Sequence, residues 1–312
     1  MSYEDLFGNS VEMSKHVLIF ADERKNVNNQ WHYLGLVVIR AEQVDDALNI
    51  LARHKVEHGV CDSELKFANL NKKGKGAKLN CAQAWLKELL YDHRNLFYFS
   101  VIGIDKNKLD FSYFGEGKEE QGKYGNVYNR FFRMAVIGAL KFFFNDEYPI
   151  VIDGIFHDSE GNLEYHPYFS WHLPFVASRE ELITCATDKI YLINSNQSKE
   201  REFPSYCNFI QLVDLIVGSV SYCFDYSNPH NLGQKKLALL MLPLVQDIIE
   251  SPWEDRAFAH VRKYSISFFP SRPITVDKFS GYEIKGKFYY HREIKLQNPS
   301  KIIKQIRLPV LL

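Results

Sequence analysis

The chain has 312 residues, 46% of them hydrophobic and 24% charged, a composition that excludes disorder on the scale of the whole chain and allows a large buried core. Its 38 Lys plus Arg balance 38 Asp plus Glu, but residues 251–312 hold 12 basic and 5 acidic side chains, leaving 26 basic and 33 acidic in residues 1–250. A neutral total therefore does not exclude a polyanionic partner, because the field that attracts phosphate is local and is screened within roughly 10 Å at ordinary salt.

In chain order, the apolar run 17–20 reads as a buried strand, and 34–39 (LGLVVI) as a second strand that forms a hairpin with it. Residues 41–58 have helical spacing, with Val44, Ala47, Leu48 and Leu51 on one face, and 78–93 repeat it through Ala82, Trp85, Leu86, Leu89 and Leu90. A third strand at 96–104 leads into a surface loop, 105–124, rich in Lys, Glu and Gly. A helix follows at 126–144, then a short strand at 150–153 behind Pro149, a helix at 165–176 and a strand at 189–193. An apolar helix at 206–223 precedes one at 235–249, which Pro243 kinks. Short alternating segments at 264–269 and 282–290 read as strands.

Strand pairs first, then strands alternating with helices, predict an α/β fold around a mixed sheet. The change of texture after Pro252 predicts a domain over 1–250, with a helical insertion between its second and third strands, and a basic C-terminal extension over 251–312, partly strand. Uninterrupted apolar runs such as 237–245 fall far short of the roughly 20 residues of a membrane helix, and the run 17–21 is too short for a signal-peptide core. The five Cys, odd in number and without a CxxC pair, fit reduced thiols. The expectation is a cytoplasmic chain with no membrane partner.

Four acidic residues sit beside or inside apolar runs, where an ionised carboxylate is costly unless compensated. Asp22 ends the first strand and Asp153 the strand 150–153; each could be a turn former, but strand ends are also where α/β sheets gather ligands. Asp214 lies inside the most apolar helix, and Gln211, Asp214 and Gly218 share one face at i, i+3 and i+7. Glu64 stands two residues from Lys66, on the same side if the segment is extended. Carboxylates gathered in a dry pocket must share protons or bind cations, and oxygen-only ligands favour Mg²⁺ or Mn²⁺. Two such ions about 3.5–4 Å apart can activate water and stabilise the leaving oxygen in phosphodiester hydrolysis.

The segments Phe20-Ala21-Asp22-Glu23, Glu64-Leu65-Lys66 and Gln211-Leu212-Val213-Asp214-Leu215-Ile216-Val217-Gly218 resemble, in order and spacing, the three signature blocks of the bacterial and phage family called domain of unknown function 3800. The resemblance covers roughly residues 16–225. It implies a ribonuclease H-like fold, with a mixed five-stranded sheet whose first and fourth strands are parallel neighbours and a late helix that adds another acid. It also implies Asp22, Glu64, Asp153 and Asp214 as metal ligands, with Asp158 a rival for the place of Asp153. Arg24 stands where the family usually has Ser, and Val213 where it has a small Ala. The expected activity is that of a metal-dependent phosphodiesterase, a nuclease, in which Lys66 and Gln211 orient ligands or phosphate. The alternative is an inactive ribonuclease H-like binding module of a defence or mobile-element system.

Several other features bear on ligands. His54 and His58 are spaced i, i+4 with Cys61 nearby, which would suit zinc, but no fourth ligand is evident and a solvated pair is the plainer reading. His157 is a candidate proton carrier or a surface-loop histidine. The run Lys72-Lys73-Gly74-Lys75-Gly76-Ala77-Lys78 offers four cations to a nucleic-acid backbone, although it is no Walker loop. Tyr residues interleaved with Lys and Arg at 282–292 suggest a stacking surface for single strands, and 302–312 could dock on the body or on a second copy, giving a homodimer.

Overall fold

A computed structural model describes residues 2–4, 10–12, 14–25, 31–109, 120–144, 149–159, 167–224, 231–250, 262–269, 281–284 and 288–291. Two short strands, β1 (Ser2–Glu4) and β2 (Ser10–Glu12), pair with each other. The main sheet starts with β3 (Lys15–Lys25) and β4 (Trp31–Arg40), the expected hairpin, now longer at both ends. Helices α1 (Val44–Glu57) and α2 (Ala77–Lys87) intervene before β5 (Tyr98–Asp105). Then come α3 (Glu120–Phe144), β6 (Ile150–Asp158), α4 (Phe169–Ala177), β7 (Ile183–Cys185) and β8 (Tyr191–Ile193). The chain continues through α5 (Cys207–Phe224), α6 (Leu232–Glu250), β9 (Tyr264–Phe269) and the hairpin β10 (Gly281–Ile284) with β11 (Phe288–His291).

The sheet has seven strands in the order β7-β6-β3-β4-β5-β9, with β8 also on β6. β3 runs parallel to β6 and antiparallel to β4; β5 is antiparallel to β4 and parallel to β9. β7 pairs the start of β6 and β8 its end. The expected five strands become seven for two reasons. β7 is three residues long, too short to show an alternation in sequence. β9 lies beyond the expected boundary near 251, yet it adds to the sheet beside β5, with Ile266 and Phe268 buried and Phe268 edge-on to Phe224 of α5 at 4.7 Å. The main sheet therefore does not end at residue 250. The stretch 292–312 and its expected role in a homodimer lie outside the described residues, as do the side chains at 282–291 and residues 110–119 of the expected loop 105–124.

The period of two along β3 divides the protein into two cores. Leu18 and Phe20 point to the face covered by α1, α2, α5 and α6, whereas Val17, Ile19 and Ala21 point to the face covered by α3 and α4. α5 is the spine of the first core, and every one of its residues except Asp214 is buried. Each large apolar side chain so buried contributes about 1.5–3 kcal/mol. The stretch Pro204–Phe224 is long and apolar enough to cross a bilayer, although Gln211 and Asp214 interrupt its apolar runs; here 94% of its most apolar 18-residue window is buried inside the protein. Gly35, the cross-strand partner of Asp22, lets α5 approach this closely, since a Cβ there would collide with Val217.

Candidate acidic site at the end of β3

β3 and β6 run side by side with Ala21 opposite His157, so Asp22 and Asp158 are the next residues along two parallel neighbours, at their C-terminal ends. Alternation sends both toward α5, following Phe20 and Phe156 of the same core. Both are buried, with 8% and 4% of their surface exposed.

Asp153 does not join them, which corrects the expected ligand set. The expected strand 150–153 is only the first half of β6. A bulge interrupts the register, because Val17 pairs Ile152 and Leu18 pairs Gly154, leaving Asp153 as the extra residue. It lies five residues before Asp158, about 16 Å along an extended strand. There the His16 Nδ1–H donates to its carboxylate at 2.9 and 3.1 Å, in a half-exposed surface pair.

The face of α5 carrying Gln211, Asp214 and Gly218 meets the segment that holds Glu64 and Lys66. The Leu65 N–H donates to Gln211 Oε1 (3.1 Å), and the Phe67 N–H donates to Asp214 Oδ2 (2.6 Å). The Phe67 ring lies where a Cβ of residue 218 would be, so only glycine fits. Leu65 and Phe67 are thus drawn into the core, and Glu64 and Lys66 alternate toward the outside. The Lys66 Nζ sits 3.3 Å from Glu64 Oε1, which also accepts the Ser195 hydroxyl (2.5 Å). The Gln211 Nε2–H closes the arrangement on the Ser195 carbonyl (2.6 Å). The Arg24 guanidinium lies 4.8 Å from the centre of the Phe67 ring.

Burial, then the charges of Asp214 and Asp158, push the Asp22 carboxyl well above its ordinary range, against the Glu23 N–H that donates to Asp22 Oδ1 at 2.7 Å. Carboxylates from β3, β6 and α5 therefore share one electrostatic environment, and in it Asp22 holds its proton more tightly than an ordinary carboxyl does. Glu23, one residue on, faces the other way. Burial opposes its ionisation too, but the hydrogen bond and charge of His32 (3.3 Å), with Lys25 (3.6 Å), hold its carboxyl down at about 2.

Other candidates resolve differently. His157 is fully buried on the α3–α4 side, and burial lowers its pKa, so it is a neutral core residue and not a proton carrier beside the acids. Its Nδ1–H donates to the Asp158 carbonyl (2.8 Å), which leaves Nε2 to accept the Tyr128 hydroxyl. His54 and His58 stack at 6.3 Å, but His54 Nε2 binds Glu88 (2.5 Å), as His93 does (2.6 Å), so the zinc arrangement with exposed Cys61 does not form. The lysine run is anchored: the Lys72 carbonyl accepts the Leu232 N–H, the Lys236 Nζ donates to the Gly74 carbonyl (2.7 Å), and Lys78 Nζ reaches the Glu64 carbonyl (3.2 Å). Lys72, Lys73 and Lys75 remain exposed. Ser195 is a site residue that sequence reasoning misses; its only signal is the turn-rich Asn194-Ser195-Asn196 after a strand.

No family model, curated protein or solved structure matches the chain. The donor chemistry of the three aspartates fits a hard divalent cation. Among the described residues, however, no group of three or more His, Cys, Asp or Glu side chains forms a ready-made metal cage. Mg²⁺ does not require one, since it is commonly held by one or two carboxylates together with substrate phosphates.

Proposed function

We propose that the chain is a phosphodiesterase acting on nucleic acid with Mg²⁺ or Mn²⁺, on a ribonuclease H-like sheet of the kind implied by its resemblance to the domain of unknown function 3800. One observation carries this reading: Asp22 and Asp158 lie at the C-terminal ends of two parallel neighbouring strands, and their electrostatic coupling, with that of Asp214 on α5, raises the pKa of Asp22. The central parallel pair β3–β6, flanked by antiparallel β4, supports the fold. Asp158 takes the place expected of Asp153.

Asp22, Asp158 and Asp214 would hold the cation, with Glu64 at the rim. When bound, such an ion acts as a Lewis acid on the phosphate and lowers the pKa of water at the site. The chain's own residues do the rest. Asp22 must give up its tightly held proton to ligate, so cation affinity rises with pH. Gln211 and Asp214 hold the 64–67 backbone, which keeps Lys66 at the rim as a cation for phosphate, and Arg24 offers a second one. Labelled single- and double-stranded DNA and RNA, incubated with Mg²⁺ and the protein, test this. Asp22→Asn and Asp158→Asn should each lower turnover by on the order of 100-fold or more. Cleavage that survives EDTA or Asp22→Asn would sink the reading.

The second reading, a binding module without turnover on the same scaffold, is favoured by the absence of a preformed metal cage among the described residues. It expects nucleic-acid binding that EDTA and Asp22→Asn leave unchanged.

A further inference from the structure

On the opposite face of the sheet, α3 and α4 leave between them an open groove of about 500 Å³. This falls within the range of about 300–1,000 Å³ found for small-molecule sites. Tyr168, which caps α4, and Trp171 and Phe175 within it follow at i, i+3 and i+7, so one helical face presents three aromatic rings. They are 50%, 44% and 48% exposed, and successive rings stand edge-on at 5.9 and 6.1 Å. Rings left this open lose the burial that large aromatic side chains usually obtain.

Across the groove α3 contributes Arg130 and Arg133, three residues apart, and among the described residues no acidic side chain lines the groove. The Arg179 guanidinium lies 4.3 Å from the centre of the Phe175 ring. The floor supplies an independent observation. Asn129 is buried, with 6% of its surface exposed, and its Nδ2–H donates to His172 Nδ1 (3.0 Å), yet its Oδ1 has no hydrogen-bond partner. Turning the amide over would only exchange which of its polar atoms is left. An unsatisfied buried group of this kind is costly, and a donor on a ligand would offset that cost.

The groove therefore offers aromatic faces, guanidinium groups and one buried acceptor, the three features that a base, a phosphate and a base N–H require. We propose that it binds a nucleotide unit, with the base stacked on the aromatic face of α4 and held by Asn129, and the phosphate paired with Arg130 and Arg133. The unit is either a free mononucleotide or one residue of a single strand. The groove and the acidic site share one end of the sheet: Tyr128 and Phe169, the neighbours of Asn129 and Tyr168, both contact His157, which precedes Asp158 in β6. The proposal does not depend on hydrolysis.

Calorimetric titration in EDTA, where metal-dependent cleavage plays no part, tests it with AMP and with an oligothymidylate of about 8 nucleotides. Binding of either should weaken about 10-fold in Trp171→Ala; because the indole is half-buried and its N–H donates to the Pro167 carbonyl (2.9 Å), the melting temperature of the variant is measured alongside. Arg133→Gln should lower the slope of log affinity against log salt by about one for the oligomer. Binding of AMP alone assigns a free nucleotide, and binding of the oligomer alone a strand; both support the proposal. No binding of either at millimolar ligand, or binding that neither substitution alters, overturns it. So does self-association that Trp171→Ala abolishes in a protein that binds neither probe, since the groove would then be a contact between copies.

Discussion

At the end of β3 the two faces of the sheet treat acidic residues in opposite ways. Toward α3 and α4, Glu23 finds His32 and Lys25, and the neighbouring His157 has both ring nitrogens occupied. Toward α5, Asp22 finds burial and two further carboxylates. One residue of separation along a strand thus holds one carboxyl down at about 2 and pushes the other well up. The first face is satisfied as it stands, whereas the second gains from any cation that replaces the proton on Asp22.

Removing the charge of Glu23 and that of its neighbour Asp22 should give opposite signs. The largest effect is expected for Glu23→Gln, with a loss of about 3 kcal/mol at neutral pH. The folded carboxyl lies below its ordinary 4.5, so this contribution is complete above about 4.5 and fades as pH falls toward about 2. Denaturant unfolding at pH 7 and pH 3 checks it, and a difference between wild type and variant that does not shrink in acid would refute the pairing.

Next is Asp214→Ala, which leaves the Phe67 N–H without its acceptor and should cost about 2 kcal/mol. Part of that cost is masked by relief of Asp22, so a double-mutant cycle with Asp22→Asn should show a coupling of about 1 kcal/mol. Strict additivity would mean that the two carboxylates do not sense each other.

Asp22→Asn alone should stabilise the metal-free protein by about 1 kcal/mol at pH 7. Because the folded carboxyl is raised above its ordinary 3.8, the penalty it relieves is absent below that pH and grows as pH rises toward the folded value. The gain should therefore vanish near the ordinary carboxyl pKa of 3.8; destabilisation at neutral pH would instead mark a structural role for an ionised Asp22. The smallest effect is expected for Asp153→Asn, under about 0.5 kcal/mol and without influence on any cation-dependent melting shift, since its partner His16 is on the surface.

Local patterns carry much of the architecture. The shared face of Gln211, Asp214 and Gly218 follows from helical spacing alone, and the structure gives each of the three a contact on the 64–67 segment. Asp158 is harder to place, because Gly154 after the run 150–153 looks like a strand end and the bulge that keeps β6 going leaves no mark in sequence. β9 reads as a strand but falls in the expected extension, since a strand's own residues do not name its neighbour. The groove between α3 and α4 is hidden for a related reason: a helix at 165–176 is legible in sequence, but only packing leaves Tyr168, Trp171 and Phe175 half exposed.

The sequence by itself determined which residues share a face, because the periods of helix and strand are set by local backbone geometry. It thereby put Asp22 and Glu23 on opposite sides of β3 and set a carboxylate in the middle of an apolar helix. Only the tertiary structure decided which carboxylates meet. That depends on the parallel pairing of β3 with β6, on the bulge at Asp153 and on the close approach of α5 over Gly35, all of which join residues far apart in the chain. Burial and charge act through space, so the protonation of Asp22 follows from that assembly and not from its neighbours in sequence.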